Sequence, residues 1–249
     1  TSGTPCAYAN PRAAATPIEL RRPRPSYGKR VPWYTEQVRG LVADALPADL
    51  GRGGLTIETA ALPALGTTLQ AEALEHADRW GKSQVAALVW DHRTGYVEAL
   101  VGGREWNPDR FDRMLQSCRQ PGSAWKPLVY GAALDAAAIT PGTALRDAPI
   151  AEYDERTNVH WKPKSGTRFR GVVLAQDAFA ASLNAPAIDV LDRVGVPRVI
   201  DFARKLGISS AVANVRPMAL GASCVKPIEL ARAYAVIARR GWAISPRFA

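Results

Sequence analysis

Ser123 and Lys126 stand three residues apart in the stretch Gln120-Pro121-Gly122-Ser123-Ala124-Trp125-Lys126-Pro127, just ahead of an apolar run with helical period. On a helix that spacing makes the two side chains neighbours on one face. A serine hydroxyl is a poor nucleophile at neutral pH and needs a base within hydrogen-bond reach. A lysine becomes that base when burial or a nearby charge lowers its pKa. The pair therefore reads as nucleophile and base of an acyl-transfer site, and a helix start adds free backbone N–H groups suited to an oxyanion. Pro127 has no N–H to offer the Ser123 carbonyl four residues back, so the backbone at the nucleophile is partly unlatched. The same residue types also open exposed helices for structural reasons alone, so the pair needs support from elsewhere in the chain.

A second candidate is Ser182-Leu183-Asn184, which lies between two helical stripes and is followed by Ala185-Pro186. Residues two apart do not face each other on a helix, so Ser182 and Asn184 can cooperate only where the backbone leaves it. Pro186 disfavours helical backbone at Ala185 and predicts that departure there. The structural alternative is a serine and an asparagine closing one helix and capping the next.

The elements that must position these residues are mostly helical. Apolar stripes with a 3.6-residue period fall at 34–45, 65–80, 128–138, 174–181, 187–194, 199–206 and 228–238. Pro186, Pro197 and Pro227 stand where a first turn tolerates proline, and Gly207 and Gly241 where helices close. Leu55, Ile57 and Thr59 alternate as a half-buried strand does, and the runs 85–90 and 96–101, separated by turn residues, read as two central strands of a hairpin. Residues 1–32, rich in Pro, Ala and Arg without an apolar period, read as a linker. Residues 33–82 form a segment leading into a catalytic domain over 83–249.

Composition bounds the alternatives. With 249 residues, 47% hydrophobic and 22% charged, the chain can build a substantial core. It has no apolar run of membrane-spanning length and no signal-like start, so any export signal or anchor is expected outside it. The net charge of +9 suits a polyanionic neighbour, but prolines interrupt the early basic cluster of Arg21, Arg22, Arg24, Lys29 and Arg30. No nucleic-acid-binding signature accompanies that cluster, and nucleic acid is not an expected partner. Cys6, Cys118 and Cys224 are far apart and odd in number; they read as free thiols, with a Cys118–Cys224 bridge as the alternative. His76, His92 and His160 are too scattered for a zinc site, so no metal or cofactor is expected. Gly81-Lys82-Ser83 looks like the end of a phosphate-binding loop, but His76 stands where that loop's first glycine belongs.

Taken together the residues resemble the transpeptidase domain of class A (bifunctional) penicillin-binding proteins. The resemblance runs from about residue 31 to 245. It includes Ala86-Ala87-Leu88-Val89, Ala99-Leu100-Val101-Gly102-Gly103, Arg119-Gln120-Pro121-Gly122-Ser123, Lys126-Pro127-Leu128-Val129-Tyr130, Phe169-Arg170-Gly171, Ser182-Leu183-Asn184-Ala185-Pro186 and Ala219-Leu220-Gly221-Ala222-Ser223. It implies an α+β fold, a mainly antiparallel sheet of five strands with packed helices, of which this chain holds only some.

The resemblance also implies a function: a serine-type D,D-transpeptidase of peptidoglycan synthesis, at the extracytoplasmic, periplasmic face of the inner membrane, acylated by β-lactams. Ser123 would be the nucleophile, Lys126 the base, Ser182 a proton relay and Asn184 a holder of substrate and lysine, with Trp125 a further substrate contact. Its implied partners are peptidoglycan stem peptides, β-lactams, and the glycosyltransferase domain and membrane anchor of the full-length protein. The family's third motif, Lys-Thr-Gly or Lys-Ser-Gly on an edge strand, follows the second motif; this chain reaches Ala249 without it, since Lys164-Ser165-Gly166 precedes Ser182. The C-terminal strands, including the one that carries this motif, are therefore expected to be missing and the domain C-terminally incomplete, with an open sheet edge where they would pair. Two other readings share these residues. One is a hydrolytic carboxypeptidase or β-lactamase, which needs a water-activating glutamate such as Glu152 or Glu155. The other is an inactive scaffold piece.

Overall fold

The computed structural model describes residues 30–249 except 53, 82, 107–110, 155–158 and 164–167. The linker assigned to 1–32, the early arginines, Cys6, Lys82, Glu155 and Lys164-Ser165-Gly166 thus lie wholly or almost wholly outside the described residues.

Helices α1 (Pro32–Ala45), α2 (Pro47–Arg52) and α3 (Pro63–Arg79) lead to strands β1 (Ala87–Trp90) and β2 (Val97–Val101). A 3₁₀ turn (Gly122–Trp125) then runs directly into α4 (Lys126–Asp135). Strands β3 (Ala144–Asp147), β4 (Glu152–Asp154), β5 (Val159–Trp161) and β6 (Gly171–Leu174) precede α5 (Ala175–Ala180), α6 (Asn184–Val194) and α7 (Val196–Lys205). A second 3₁₀ turn (Arg216–Leu220) and α8 (Pro227–Ala238) follow.

Helix α4 is apolar on nearly every side, which is the pattern of a helix enclosed by others. Leu128, Val129, Ala132 and Ala133 are buried against Ile188 and Leu191 of α6 and Val199 and Ala203 of α7. Removing this much apolar surface from water is the main force that fixes α4, and with it the position of Lys126 at its first turn. A smaller cluster joins α1 to the sheet through Trp33, Tyr34, Val38, Val97, Leu100, Met114 and Phe248. There the Tyr34 hydroxyl lies 2.8 Å from Val97 O and 2.7 Å from Phe248 O.

Strands β1 and β2 pair antiparallel with Leu88 opposite Leu100, so the hairpin expected from the sequence is present. The outer edge of β2 is occupied: Val97 N–H donates to Arg247 O (2.8 Å) and Leu62 N–H to Glu98 O (2.9 Å). The other edge of β1 carries no strand among the described residues, and all four of its residues are partly exposed. This is the open edge the resemblance implies. Pairs β3/β6 and β4/β5 are separate two-stranded antiparallel sheets, so the fold is mixed α+β.

Two expectations are corrected. Leu55, Ile57 and Thr59 do not form a strand; the segment enters no ladder, and Leu55 and Ile57 stay exposed. Alternation marks an extended chain, but a strand also needs an edge to pair with, and none reaches these residues. Cys118 and Cys224 are not free thiols but a disulfide, with their Cα atoms 5.1 Å apart across 106 residues of sequence. Spacing along the chain carries no information about that encounter.

The first turn of α8 is locked by a buried carboxylate. Glu229 accepts from Ser209 Oγ (2.6 Å), Ser210 Oγ (2.7 Å) and Ser210 N–H (3.0 Å). Burial pushes its carboxyl up, but the hydrogen bonds from Ser209 and Ser210 together outweigh it and hold the pKa below the ordinary glutamate value. Glu229→Ala is expected to cost about 2–3 kcal/mol, because the three donors lose their acceptor. Urea unfolding checks this, and a loss below about 0.5 kcal/mol, the surface-substitution level, would refute it.

Candidate active site

Ser123 sits in the 3₁₀ turn rather than in the α-helix itself. Side chains three apart in a 3₁₀ turn eclipse one another, so Lys126, the first residue past the turn, follows Ser123 on the same side of the chain. The Ser123 carbonyl, which Pro127 cannot reach, accepts instead from the Lys126 N–H. Gly122 has φ +57°, a conformation suited to glycine, and lets the chain turn sharply into the nucleophile position. Ser123 is exposed, while Lys126 three residues further on is buried. The first N–H groups of a helical turn have no acceptor within it, and that of Ser123 is among them.

Lys126 reaches across the core to the second candidate segment. Its Nζ donates to Ser182 O (2.5 Å), Asn184 Oδ1 (2.7 Å) and Ser182 Oγ (3.1 Å). The long-range pairing of the two motifs is therefore formed, across 56 and 58 residues. Burial lowers the Lys126 pKa from its ordinary 10.5 to about 8. Among the described residues no carboxylate accepts from Nζ; its partners are neutral oxygens, which offset little of the cost of desolvating the charge. Among the described residues, the hydrogen bonds of Lys126 Nζ all run to Ser182 and Asn184 and none to Ser123.

The backbone leaves helix at the second segment, but not where Pro186 predicts. Ser182 itself has φ +51°, a left-handed conformation uncommon outside glycine. Ser182 N–H donates to Phe179 O (2.9 Å) and Leu183 N–H to Ala178 O (3.0 Å), the two bonds of a Schellman closure with serine in the position glycine usually takes. Ala185 and Pro186 then lie within the first turn of α6, both helical and buried. The left-handed step turns both the Ser182 carbonyl and its hydroxyl toward Lys126, while Asn184 enters from the start of the next helix. Strain of this kind is retained where the surroundings over-determine it, often at functional sites.

Trp125 is placed otherwise than the substrate contact expected of it. It is fully buried, and its indole N–H donates to Met218 Sδ (3.0 Å), so it supports the turn from beneath. Beside the turn, Leu88, Trp90, Met114, Ala124, Leu230 and Tyr234 line an open apolar groove of about 670 Å³ between β1 and α8. Glu152, the candidate water-activating carboxylate, is engaged in an ion pair with Arg216. Among the described residues no cluster of three metal-ligating side chains occurs, and no helix is long and apolar enough to cross a membrane. Sequence reading did not single out Met218, Tyr234 or Gly221 as contacts of the nucleophile turn. Gly221 alone carried a signal, through its place in the Ala-Leu-Gly-Ala-Ser stretch.

A mixed α+β fold with an exposed serine, a buried lysine three residues on and a serine-asparagine pair closing on that lysine defines the class. The chain matches the family described as penicillin binding protein transpeptidase domain over residues 85–249, and it belongs to that family. Its similarity runs to class A proteins in particular. It is 35% identical to penicillin-binding protein 1A of Pseudomonas aeruginosa over 166 residues, covering 66% of this chain and 20% of that protein. It is 38% identical to penicillin-binding protein 1A of Neisseria meningitidis over 165 residues, covering 65% and 21%. The chain thus spans about a fifth of the length of these relatives. The crystal structure of penicillin-binding protein 1A from Haemophilus influenzae superposes with a TM-score of 0.61 at 31% identity, over 66% of this chain and 25% of that one. PonA1 from Mycobacterium tuberculosis shares the fold with a TM-score of 0.69 at 24% identity, over 87% of this chain and 59% of that one.

Proposed function

We propose that this chain carries the nucleophile and base of a D,D-transpeptidase that cross-links peptidoglycan stem peptides through a serine acyl-enzyme. Ser123 Oγ attacks the carbonyl of the penultimate D-alanine and the terminal D-alanine leaves. The amine of a neighbouring stem peptide then resolves the ester on Ser123, closing the cross-link and regenerating the serine. Lys126 accepts the Ser123 proton, and Ser182 passes a proton to the departing nitrogen. Asn184 holds Lys126 and the substrate amide. A β-lactam follows the first half of this path and remains as an ester on Ser123. The full-length protein works at the periplasmic face of the inner membrane, alongside a glycosyltransferase domain and an anchor.

The observation that carries this reading is the state of Lys126: a buried amine with a pKa of about 8, donating to three neutral acceptors and placed one turn from an exposed serine. Three acceptors match the three N–H groups of an ammonium. On losing a proton the amine keeps two donors, and the longest bond, to Ser182 Oγ, is the one that can reverse so that the Ser182 hydroxyl donates instead. That reversal is the proton path the reaction needs. The hydrolytic alternative has less support, since Glu152 is committed to Arg216.

Treatment of the full-length protein with a penicillin, followed by proteolysis and mass spectrometry, tests the assignment. The expected result is one penicilloyl adduct, on the peptide containing Ser123, with slow release of free product. An adduct on another residue overturns the nucleophile, and rapid turnover of the penicillin overturns transfer in favour of hydrolysis.

A further inference from the structure

Around the nucleophile, restraint falls on the neighbours of Ser123 and not on Ser123 itself. Upstream, residues 118–121 have no helix or strand of their own beyond a single bridge. They are tied to a segment more than a hundred residues later. Cys118 is disulfide-bonded to Cys224, and the next residues form two backbone hydrogen bonds, Arg119 N–H to Val225 O and Val225 N–H to Arg119 O, both 3.0 Å. At the turn, Gly221 lies against Gly122. A Cβ on Gly221 would come within 2.5 Å of Gly122 O, 2.6 Å of its N and 2.9 Å of its Cα, with φ at +77°. Downstream, the Tyr234 hydroxyl donates to Ala124 O (2.8 Å), and the buried Trp125 indole donates to Met218 Sδ (3.0 Å).

The opposing segment is itself anchored. Met218 is fully buried, Arg216 Nε donates to Asp192 of α6 (2.8 Å), and Ser223 Oγ accepts from Ala213 N–H (3.0 Å). Among the described residues, Ser123 alone of its turn has no such tie to the opposing segment.

We infer that Cys118–Cys224 and Gly221 are positioning residues, forming a clasp that sets the direction from which Ser123 Oγ meets a bound carbonyl. This rests on the reading of Ser123 as the nucleophile. An irregular segment leading into a nucleophile has no ladder to hold it, and a displacement of about 1 Å is enough to cost a reaction up to about a hundredfold. The disulfide closes the far end of that segment, while Gly221 allows the two backbones to touch at the near end. The contacts of Cys118, Cys224 and Gly221 described above run to protein backbone and to each other, so the clasp is expected to act on the acylation step and not on the preceding complex.

The test uses the full-length protein and a fluorescent penicillin over a range of concentrations, separating the limiting acylation rate from the half-saturating concentration. Both half-cystines are exposed, so a phosphine can reduce the bond in the folded protein, and Cys118→Ala with Cys224→Ala removes it. The expected result is a limiting rate about tenfold lower, with half-saturation within about twofold of the parent and labelling still reaching completion on Ser123. Reoxidation of the reduced protein should restore the rate. Purely structural damage would lower the fraction labelled and leave the rate of the remainder unchanged, and that outcome overturns the inference. So does an unchanged rate in fully labelled protein lacking the bond. Should the cysteine variant fail to fold, Gly221→Ala with the bond intact is expected to slow the same step, and a parental rate there overturns the clasp. Labelling of the parent at a residue other than Ser123 overturns the nucleophile reading, and the clasp falls with it.

Discussion

Replacing Lys126 by arginine should reduce the acylation of Ser123 by penicillin at pH 7 about a thousandfold or more, although the positive charge is kept. A general base must give up its proton to work, and the guanidinium of arginine stays protonated throughout the range in which proteins fold. Lysine in the same place is different because burial has already brought its pKa to about 8. At pH 7 roughly a tenth of such a group is the free amine, which suffices for a base matched to its working pH. The parent protein should therefore acylate faster as pH rises from 6, levelling off above about 8, and the arginine variant should show no such limb. Rates from stopped-flow or gel labelling between pH 6 and 9 decide this. An arginine variant within tenfold of the parent, or a parent rate that falls across this range, would remove Lys126 from the role of base.

The same shift has a sign for stability. The unfolded chain, with an ordinary lysine near 10.5, binds more protons than the folded one between about 8 and 10.5, so this group favours folding increasingly as pH rises through that window. Below about 8 both states carry the charge, and the folded state bears the full cost of burying it. On the proposed reading of Lys126 as base, this destabilisation at neutral pH is what keeps the base available, a trade familiar at catalytic sites.

Asn184→Asp should be nearly as damaging at neutral pH and should recover in alkali. Asn184 Oδ1 accepts from Lys126 Nζ at 2.7 Å, and an aspartate of the same shape would place a negative charge there. An opposite charge at that range favours the ammonium by about 1–3 pKa units. The free amine at pH 7 then falls about 10- to 1000-fold, and acylation falls with it. The midpoint of the pH profile should move up by the same amount, and the rate should return toward that of the parent as pH passes the new midpoint. A variant slow at every pH would show that Asn184 acts through shape or substrate contact. A midpoint at or below that of the parent would show that Lys126 is not the titrating base.

Much of the frame was legible because helices announce themselves locally. The stripes at 128–138, 187–194 and 228–238 correspond to α4, α6 and α8, and Pro186, Pro197 and Pro227 all fall in first turns, where an absent N–H costs nothing. The β1/β2 hairpin was equally clear from two apolar runs joined by turn residues. The failures share a cause. Leu55 to Thr59 alternate correctly but meet no partner edge, Trp125, which the resemblance implied as a substrate contact, is buried against Met218, and the exit from helix before Asn184 is made by a left-handed Ser182 that no propensity favours. Each depends on what lies opposite in space.

By itself the sequence determined that Ser123 and Lys126 stand one helical turn apart on the same side of the chain, since a three-residue spacing does this whatever surrounds them. It also determined, through its ordered motifs, the transpeptidase family to which residues 85–249 belong. Only the tertiary structure decided the state of Lys126, because its lowered pKa comes from burial by distant helices and its three acceptors come from residues 56 and 58 positions away. The same holds for the clasp that joins Cys118 and Gly122 to Cys224 and Gly221. Short-range sterics are written in neighbouring residues, whereas desolvation and long-range contact exist only once the core has closed.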